Sequence, residues 1–549
     1  MQRRHEREVA QYLDTLPHAR WVRAVGEVAA RTGIVVYAVG GMVRDALLGY
    51  MTTDLDFVTE GADSGIRLAK AVSKRFGGRT VHVYERFGTA AVRLRDREVG
   101  EILLEFVAAR KENYRSASRN PRVASATLLE DLARRDFTVN AMAACLLPDR
   151  YGELIDPFGG RDHLAEERLY TPRAPQKTFA DDPLRMIRAV RFATQLNFDI
   201  DGSLMQAMRT EAPRLKILSQ ERITGELTRI MESDAPAFGF ALMDGTGLLE
   251  YILPELAALK GVERVAGREH KENFHHTLQV LDNVVEATLA EPPENWYWLR
   301  WAALLHDIGK AHTKRFVNGT GWTFHGHEYY GAKRMIPKLF RKLKLPLDER
   351  MEYVQRLVAL HHRPMALVDD TVTDSAVRRL LFDAGPLIDD LMILVRADVT
   401  SRNPRRRSRY LRAFDNVEVK FADIEAKDHL RNFRPPIDGL EIMERAGIRA
   451  GMAVGFIKNT IQEAILDGDI PNEHGAAVAL LMEIKDDAVR REKLYRETVQ
   501  KLSPRERTAM SAMREAILFE ELPESNEAAQ AHIQAIKERV LADNPSSLE

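Results

Sequence analysis

Apolar positions in residues 5–31 recur at helical spacing, through Val9, Leu13, Leu16 and Val22, which predicts a helical opening segment. The pattern then shortens. "GIVVYAVG" is β-branched and aromatic, the signature of a strand, and "GGMVRDALLG" reads as a glycine turn opening a short helix. "TDLDFVTE", "RTVHVYERFGTAAVRL" and "GEILLEFVAAR" supply more strands, so the chain to about residue 110 reads as an α/β or α+β head. From about 160 to 255 the period is helical, most clearly in "DDPLRMIRAVRFATQLNF" and "SQERITGELTRIMES". Residues 257–273 are polar and read as a linker. Residues 274–400 are helical again and rich in histidine, and glycines and prolines punctuate further helices to residue 473. The C-terminal "LADNPSSLE" is expected to fray, and no strict repeat is evident.

Composition narrows the class. A chain of 549 residues at roughly 150 per domain implies about three or four domains. With 45% hydrophobic and 29% charged residues it belongs with globular proteins. A formal net charge of -1 argues against steering of nucleic acid by the whole molecule, though not against local patches. Cys145 is the single cysteine, which excludes an intrachain disulfide and fits a reducing compartment. "MQRRHEREVAQYLDTL" lacks a signal-like apolar core and no apolar run reaches 18 residues, so a cytoplasmic protein without a membrane span is expected.

The first candidate chemistry lies in "VGGMVRDALLGYMTTDLDFV". Alternate residues of a strand share a face, so Asp54 and Asp56 present two carboxylates together while Leu55 points to the core. Paired carboxylates repel unless a cation bridges them, and hard ions such as Mg²⁺ take carboxylate and phosphate oxygens together. Gly40 and Gly41 let backbone N–H groups approach phosphate at a helix N-terminus, and Arg44 adds a charge there. One metal could activate a hydroxyl while a second holds the triphosphate and leaving group. Taken singly, a glycine pair and a D-x-D are each more often a turn and a solvated strand end. Their order within one strand–turn–helix–strand unit favours nucleotidyl transfer.

"GGMVRD" followed by "DLDFV" resembles the class II tRNA nucleotidyltransferase and bacterial poly(A) polymerase family. The resemblance implies a multidomain chain: an α/β polymerase-β-like head (1–158), an all-helical neck with a base-selecting motif (159–256), an HD domain (265–410) and a helical, RNA-binding body and tail (411–549). It implies that Asp54 and Asp56 hold two Mg²⁺. Further motifs follow in the family's order. "ARKENY" resembles the start of a flexible loop spanning Arg110 to Glu130. "EDLARRDFTVNAMA" resembles a segment that lies against ribose and phosphate. Arginine forks at Arg134 and Arg135 match phosphate oxygens, and Asp136 or Asn140 suits ribose hydroxyls. "IDPFGGRDHL" resembles the head–neck hinge, where Asp162 is either an orienting group or part of a turn.

In "DDPLRMIRAVRF", Asp182 and Arg185 stand at i and i+3, one helix face. Arginine offers donors and aspartate acceptors, so the pair can satisfy the edge of cytosine or adenine by rotating. The resembling family uses an E-D-x-x-R motif as a protein template, and Asp181 replaces its glutamate. Alone, the pair would be read as a helical salt bridge. Arg188 and Arg191 extend the helix towards triphosphate or primer. Glu221 and Arg222 read as a buttress, and Glu105, ending a strand, is a candidate third carboxylate.

Histidines cluster in order in the second half: His276, His306-Asp307 in "LLHDIGK", His327, His361, and then Asp398. Imidazole and carboxylate suit borderline divalent metals, with Ni²⁺, Mn²⁺ and Fe²⁺ indistinguishable by ligand type. The set resembles the HD phosphohydrolase superfamily, which implies either a hydrolytic metal centre for phosphate esters or a retained helical scaffold. "RNPRRRSRYLR" places six arginines within 402–412 beside Tyr410, which suits RNA phosphate as well as it suits a solvated loop.

These features together predict addition of C, C and A to tRNA 3′ ends from CTP and ATP. An A-adding enzyme or a poly(A) polymerase shares the motifs. A phosphohydrolase with a nucleotide-sensing head and a non-enzymatic RNA scaffold are the readings from other classes.

Overall fold

Strand alternation settles the head. In the computed structural model, β2 (Leu55–Thr59) buries Leu55, Phe57 and Val58 and leaves Asp56 exposed. The structure describes residues 2–51, 55–77, 79–85, 88–96, 100–115, 118–265, 267–269, 272–368, 373–401, 403–428, 436–500, 523 and 525–542. The chain forms two compact units, residues 1–359 and 360–549. No helix among the described residues is long and apolar enough to cross a membrane.

The first unit opens with two helices rather than one. Helices α1 (Gln2–Thr15) and α2 (Ala19–Thr32) break at Pro17, which has no N–H to continue the ladder. A seven-stranded sheet follows, ordered β3-β4-β5-β2-β1-β8-β9. Its members are β1 (Val36–Val39), β2, β3 (Arg79–Tyr84), β4 (Thr89–Asp96), β5 (Gly100–Ala108), β8 (Ala143–Cys145) and β9 (Leu154–Ile155). Only β2 and β5 run parallel, in a register that sets Asp56 opposite Glu105. Phe57 and Phe106 stack at 5.1 Å beneath them, where α4 (Ser64–Phe76) packs on the sheet. Tyr37, Val39, Val58, Leu128, Leu132 and the free thiol of Cys145 fill a second core cluster. Residues 110–125, expected as a loop, form a hairpin instead, β6 (Arg110–Arg115) against β7 (Ser118–Ser125).

Local chemistry fixes the turn at residues 156–161. The Asp156 carboxylate accepts the N–H groups of Gly160 and Arg161 at 2.7 and 2.9 Å, opening α6 (Gly160–Ala165). Asp162 lies inside that helix's first turn. A Cβ on Gly160 would meet the Thr138 carbonyl oxygen at 2.3 Å, so only glycine lets α6 approach the 138–140 turn. Helices then dominate: α7 (Pro175–Asp181), α8 (Leu184–Leu196), α9 (Gly202–Glu211) and α10 (Gln220–Met231).

In the second unit, helices Gly439–Ala446, Met452–Asp467 and His474–Gln500 pack around Ile442, Ile457, Ile461, Ile465 and Leu481. Gly447 and Gly468 end the first two in left-handed geometry. The arginine-rich segment is not a loop: residues 404–412 are the first turns of a 25-residue helix, Pro404–Asp428. Arg402 lies outside the described residues.

Gly160→Ala should destabilise the protein by about 1–3 kcal/mol, the usual cost of forcing extra volume into a packed contact. Urea unfolding of the purified variant measures it.

Candidate active site

Backbone geometry builds a glycine cradle. Gly40 stands at φ 67, ψ −128 before α3 (Gly41–Leu48), a conformation open to glycine alone at little cost. A Cβ there would also lie 2.9 Å from Arg135 Nη1. Arg44, in the first turn of α3, is aimed by two neighbours. Its Nη2 lies 2.7 Å from Asp45 Oδ1 and its Nη1 donates to Asn140 Oδ1 at 2.7 Å. Asp56 faces the same space, and Glu105 lies beside it mid-strand in β5 rather than at a strand end. Two exposed carboxylates at one register position on adjacent strands fit a hard divalent cation. Asp54 lies outside the described residues.

A wall of arginines surrounds the cradle, held from behind by buried carboxylates. Thr127 and Glu130 form a capping box that starts α5 (Leu128–Ala133) and places Asp131 in the core. Asp131 pairs with Arg134 at 2.6 Å and with Arg135 at 3.2 Å. Burial works against its ionisation, but Arg135 and Arg134 outweigh it and hold the pKa below the usual range. Asp136 Oδ2 accepts from Arg188 Nε and Nη2 at 2.8 and 2.6 Å, and its Oδ1 accepts from Asn140 Nδ2 at 3.2 Å. Against strong burial, Arg188 and Arg185 hold Asp136 at a pKa of about 2. Glu226 pairs with Arg191 at 2.8 Å, and burial still lowers the Arg191 pKa to about 10. The ring of Phe192 anchors three guanidinium groups, of Arg44, Arg188 and Arg191, at 5.1, 5.3 and 4.1 Å. The cavity is about 540 Å³ and is lined by eight arginines against three aspartates.

The geometry of Asp182 and Arg185 differs from expectation. Asp182 and Arg185 do not share a helix face. Pro183 disfavours helical geometry at the preceding residue, so α7 stops at Asp181, Asp182 is extended at φ −142, ψ 106, and α8 starts at Leu184. No i,i+3 bridge forms. Asp182 Oδ2 pairs with Arg222 at 2.8 Å and its Oδ1 accepts the Leu184 N–H at 3.1 Å. Arg185 Nη2 donates to the Arg134 carbonyl at 2.8 Å. Asp182 and Arg185 nonetheless line one cavity with Gly40, Gly41, Arg44, Asp56, Arg134, Asp136, Asn140, Arg188 and Arg191. Asp181 is held aside by Arg173 at 2.7 Å.

A second cluster gathers elsewhere in the first unit. His276 comes from helix Asn273–Thr288, His306 follows helix Trp296–Leu305, and His327 starts helix His327–Tyr330. Their Nε2 atoms lie 3.6, 3.3 and 3.2 Å from the carboxylate oxygens of buried Asp307. His306 Nδ1 and His327 Nδ1 lie 2.8 and 2.9 Å from the Ala303 and Phe324 carbonyls, which can only accept. In the neutral rings Nε2 is therefore the lone-pair nitrogen, and it faces carboxylate oxygen. A cation between them relieves that repulsion, which is the arrangement of histidine metal ligands oriented by carbonyls. His361 and Asp398 belong to the second unit, His361 buried beside His362 and Asp398 at the end of helix Ile388–Asp398.

Comparison with known proteins follows this division of chemistry. A family model described as the poly A polymerase head domain matches residues 36–170. One described as a probable RNA and SrmB-binding site of polymerase A matches residues 197–260, and an HD domain model matches residues 273–403. An A-adding tRNA nucleotidyltransferase of Deinococcus radiodurans is 31% identical, over 80% of this chain and 94% of its own length. The chain belongs to the tRNA nucleotidyltransferase and poly(A) polymerase family. A CC-adding tRNA nucleotidyltransferase of Thermus thermophilus is 30% identical over 81% of this chain and 93% of its own. The crystal structure of the Bacillus stearothermophilus CCA-adding enzyme in complex with CTP matches at a TM-score of 0.56 and 25% identity, covering 86% of this chain and 99% of that one.

This nucleotidyltransferase uses residues that its sequence motifs did not single out. On helix α10, Glu226 bonds to Arg191 and Arg229 lines the cavity, both on the face of Arg222, the residue read from sequence as a buttress and paired here with Asp182. Buried Ile223, Leu227 and Ile230 form the adjacent face of that helix. The charged spacing was a readable signal. Phe192 and Asp131 carried none, since an aromatic or an acid within a helix is ordinary.

Asp136 links stability to pH with a definite sign. Its folded pKa is depressed from 3.8 to about 2, so its contribution is present above pH 4 and disappears as pH falls through 2. Asp136→Asn should cost about 2 kcal/mol at pH 7, and the gap from wild type should close between pH 4 and 2. Urea unfolding across that range checks both.

Proposed function

We propose that this enzyme adds C, C and A to tRNA 3′ ends, using CTP and ATP and releasing pyrophosphate. One observation carries the reading: a single cavity joins the glycine cradle and Asp56 to Asp182 and Arg185. Asp54 and Asp56 are the residues that would hold Mg²⁺, which supplies activation of the attacking hydroxyl and neutralisation of the leaving group. Gly40, Gly41, Arg44 and the arginine wall bind the triphosphate. Asp136 and Asn140 suit the ribose. Asp182 accepts from the exocyclic amine of cytosine or adenine while Arg185 donates to the adjacent ring nitrogen. The neutralised arginines leave a net positive lining that matches a nucleoside triphosphate with its metal.

The relatives' names favour narrower products as the second reading, A addition above all, given the match over 94% of the Deinococcus protein. Retention of residues 110–125 as a hairpin supports a product that includes A. The family matches support the division into head, neck, HD domain and body. Further, His276, His306, Asp307 and His327 are proposed as ligands of a divalent transition metal in a phosphohydrolase centre. The sequence order of the HD family supports His361 and Asp398 in the same role.

Transcripts of tRNA ending before CCA, after C and after CC, each with labelled CTP or ATP, test the product. Completion of all three is expected. Addition of A to the CC end alone would replace this reading with the second, and long A tails would indicate a poly(A) polymerase. Asp56→Ala should reduce every product to background. His306→Ala should abolish metal-dependent hydrolysis of bis-p-nitrophenyl phosphate by the full chain while leaving nucleotide addition intact. A wild-type enzyme that neither takes up Ni²⁺, Mn²⁺ or Fe²⁺ nor hydrolyses the ester would reject the second centre.

A further inference from the structure

Helix Pro404–Asp428 carries its charge in reverse. Arg405, Arg406, Arg407, Arg409 and Arg412 fall in the first three turns with no acidic residue among them, whereas acids crowd the rest of the helix. A helix N-terminus already bears partial positive charge, so cations there oppose the dipole and each other. Asn403 meets part of the demand, its side chain accepting the Arg405 and Arg406 N–H groups at 3.0 and 3.3 Å. The guanidinium charges themselves remain exposed to solvent.

Several other arginines of the second unit are neutralised. Arg379 pairs with Glu463 and Asp467, Arg396 with Asp415 and Glu418, Arg445 with Glu441, and Arg491 with Asp487. Among the described residues, none of the five has a carboxylate partner. Phe414, Val417, Phe421 and Ile424 are buried on the helix's other side, so its apolar face is already used. Arg405, Arg409 and Arg412 stand at i, i+4 and i+7, a stripe about 10 Å long. Tyr410 lies between Arg406 and Arg409, whose guanidinium carbons are 5.8 and 5.5 Å from its ring centroid.

We propose that this arginine stripe is a docking surface for the sugar-phosphate backbone of the tRNA substrate. The proposal rests on the tRNA reading above and adds a binding surface to it. Three features choose RNA over other anions. The cations are all arginine, whose planar fork matches phosphate. Between Arg405 and Arg412 no large apolar side chain is exposed to enter a membrane, and Val419 is the one exposed further along that face among the described residues. A polyanion also relieves the repulsion that the bare helix end carries.

The test compares full-length wild type with the triple variant Arg405→Gln, Arg409→Gln, Arg412→Gln. Filter binding of a tRNA transcript without nucleotide is measured between 50 and 200 mM salt. Loss of three phosphate contacts should weaken binding at least tenfold at the lower salt. It should also make the slope of log K against log salt shallower by about 2 to 3. KM for tRNA should rise while KM for CTP and ATP at saturating tRNA stays put. The Arg→Lys triple variant should keep most of the salt slope, since that slope counts charge. An unchanged Kd and slope in the glutamine variant would overturn the surface while leaving the enzyme's function standing. Wild type that binds no tRNA would overturn the tRNA reading itself. Loss of binding to anionic lipid vesicles with tRNA binding intact would reassign the face to a membrane.

Discussion

Eight arginines cannot share a cavity of about 540 Å³ without help, and the help comes from carboxylates placed behind them. Asp131 spans Arg134 and Arg135, Asp136 takes the fork of Arg188, and Glu226 takes Arg191. These contacts cross elements: Asp136 follows α5, whereas Arg188 and Arg191 sit on α8 and Glu226 on α10. The ion pairs that make the cavity electrostatically tolerable also fix the head's motif against the helical segment that carries Asp182 and Arg185. Removing one carboxylate leaves a half-buried guanidinium uncompensated, which costs more than the pair is worth in isolation. The arrangement neutralises some of the positive charge and leaves the rest lining the cavity.

Preorganisation follows from the same contacts. Arg44 is held by Asp45 and Asn140, Asp182 by Arg222 and by the start of α8, and Arg185 by a backbone carbonyl. Each of these side chains is held by a partner within the protein, so little ordering would be left for a bound ligand to impose. For Asp182 the partner matters most. An aspartate aimed by a guanidinium presents its acceptors in a set direction, and direction is what separates cytosine and adenine from bases with the opposite donor pattern.

Local motifs were legible because their chemistry lies within a few residues of chain. The glycine pair, the aspartate strand, "RRDFTVN" and the histidine-aspartate doublet each stand out as short patterns, and Gly40, Gly41, Asp56, Arg134, Arg135, Asp136 and Asn140 line one cavity. The exposed face of Asp56 and the buried face of Leu55 followed from strand alternation alone. Long-range geometry was not legible. Glu105 stands beside Asp56 only because β2 and β5 pair in parallel at that register. Glu226 and Arg229 join the site through packing of a helix some forty residues beyond α8's start. The shared helix face expected of Asp182 and Arg185 failed at Pro183, where counting residues across a proline overrode the break that proline imposes. The arginine segment reads as a solvated loop in sequence because the helix's buried apolar positions begin only at Phe414, after the arginines.

The direct measurement is a crystal structure of the enzyme soaked with CTP and Mg²⁺. The account predicts density for metal at Asp56, the triphosphate against Gly40, Gly41 and Arg44, and the cytosine edge on Asp182 and Arg185. A nucleotide bound away from these residues, or with its base remote from α8, would contradict it.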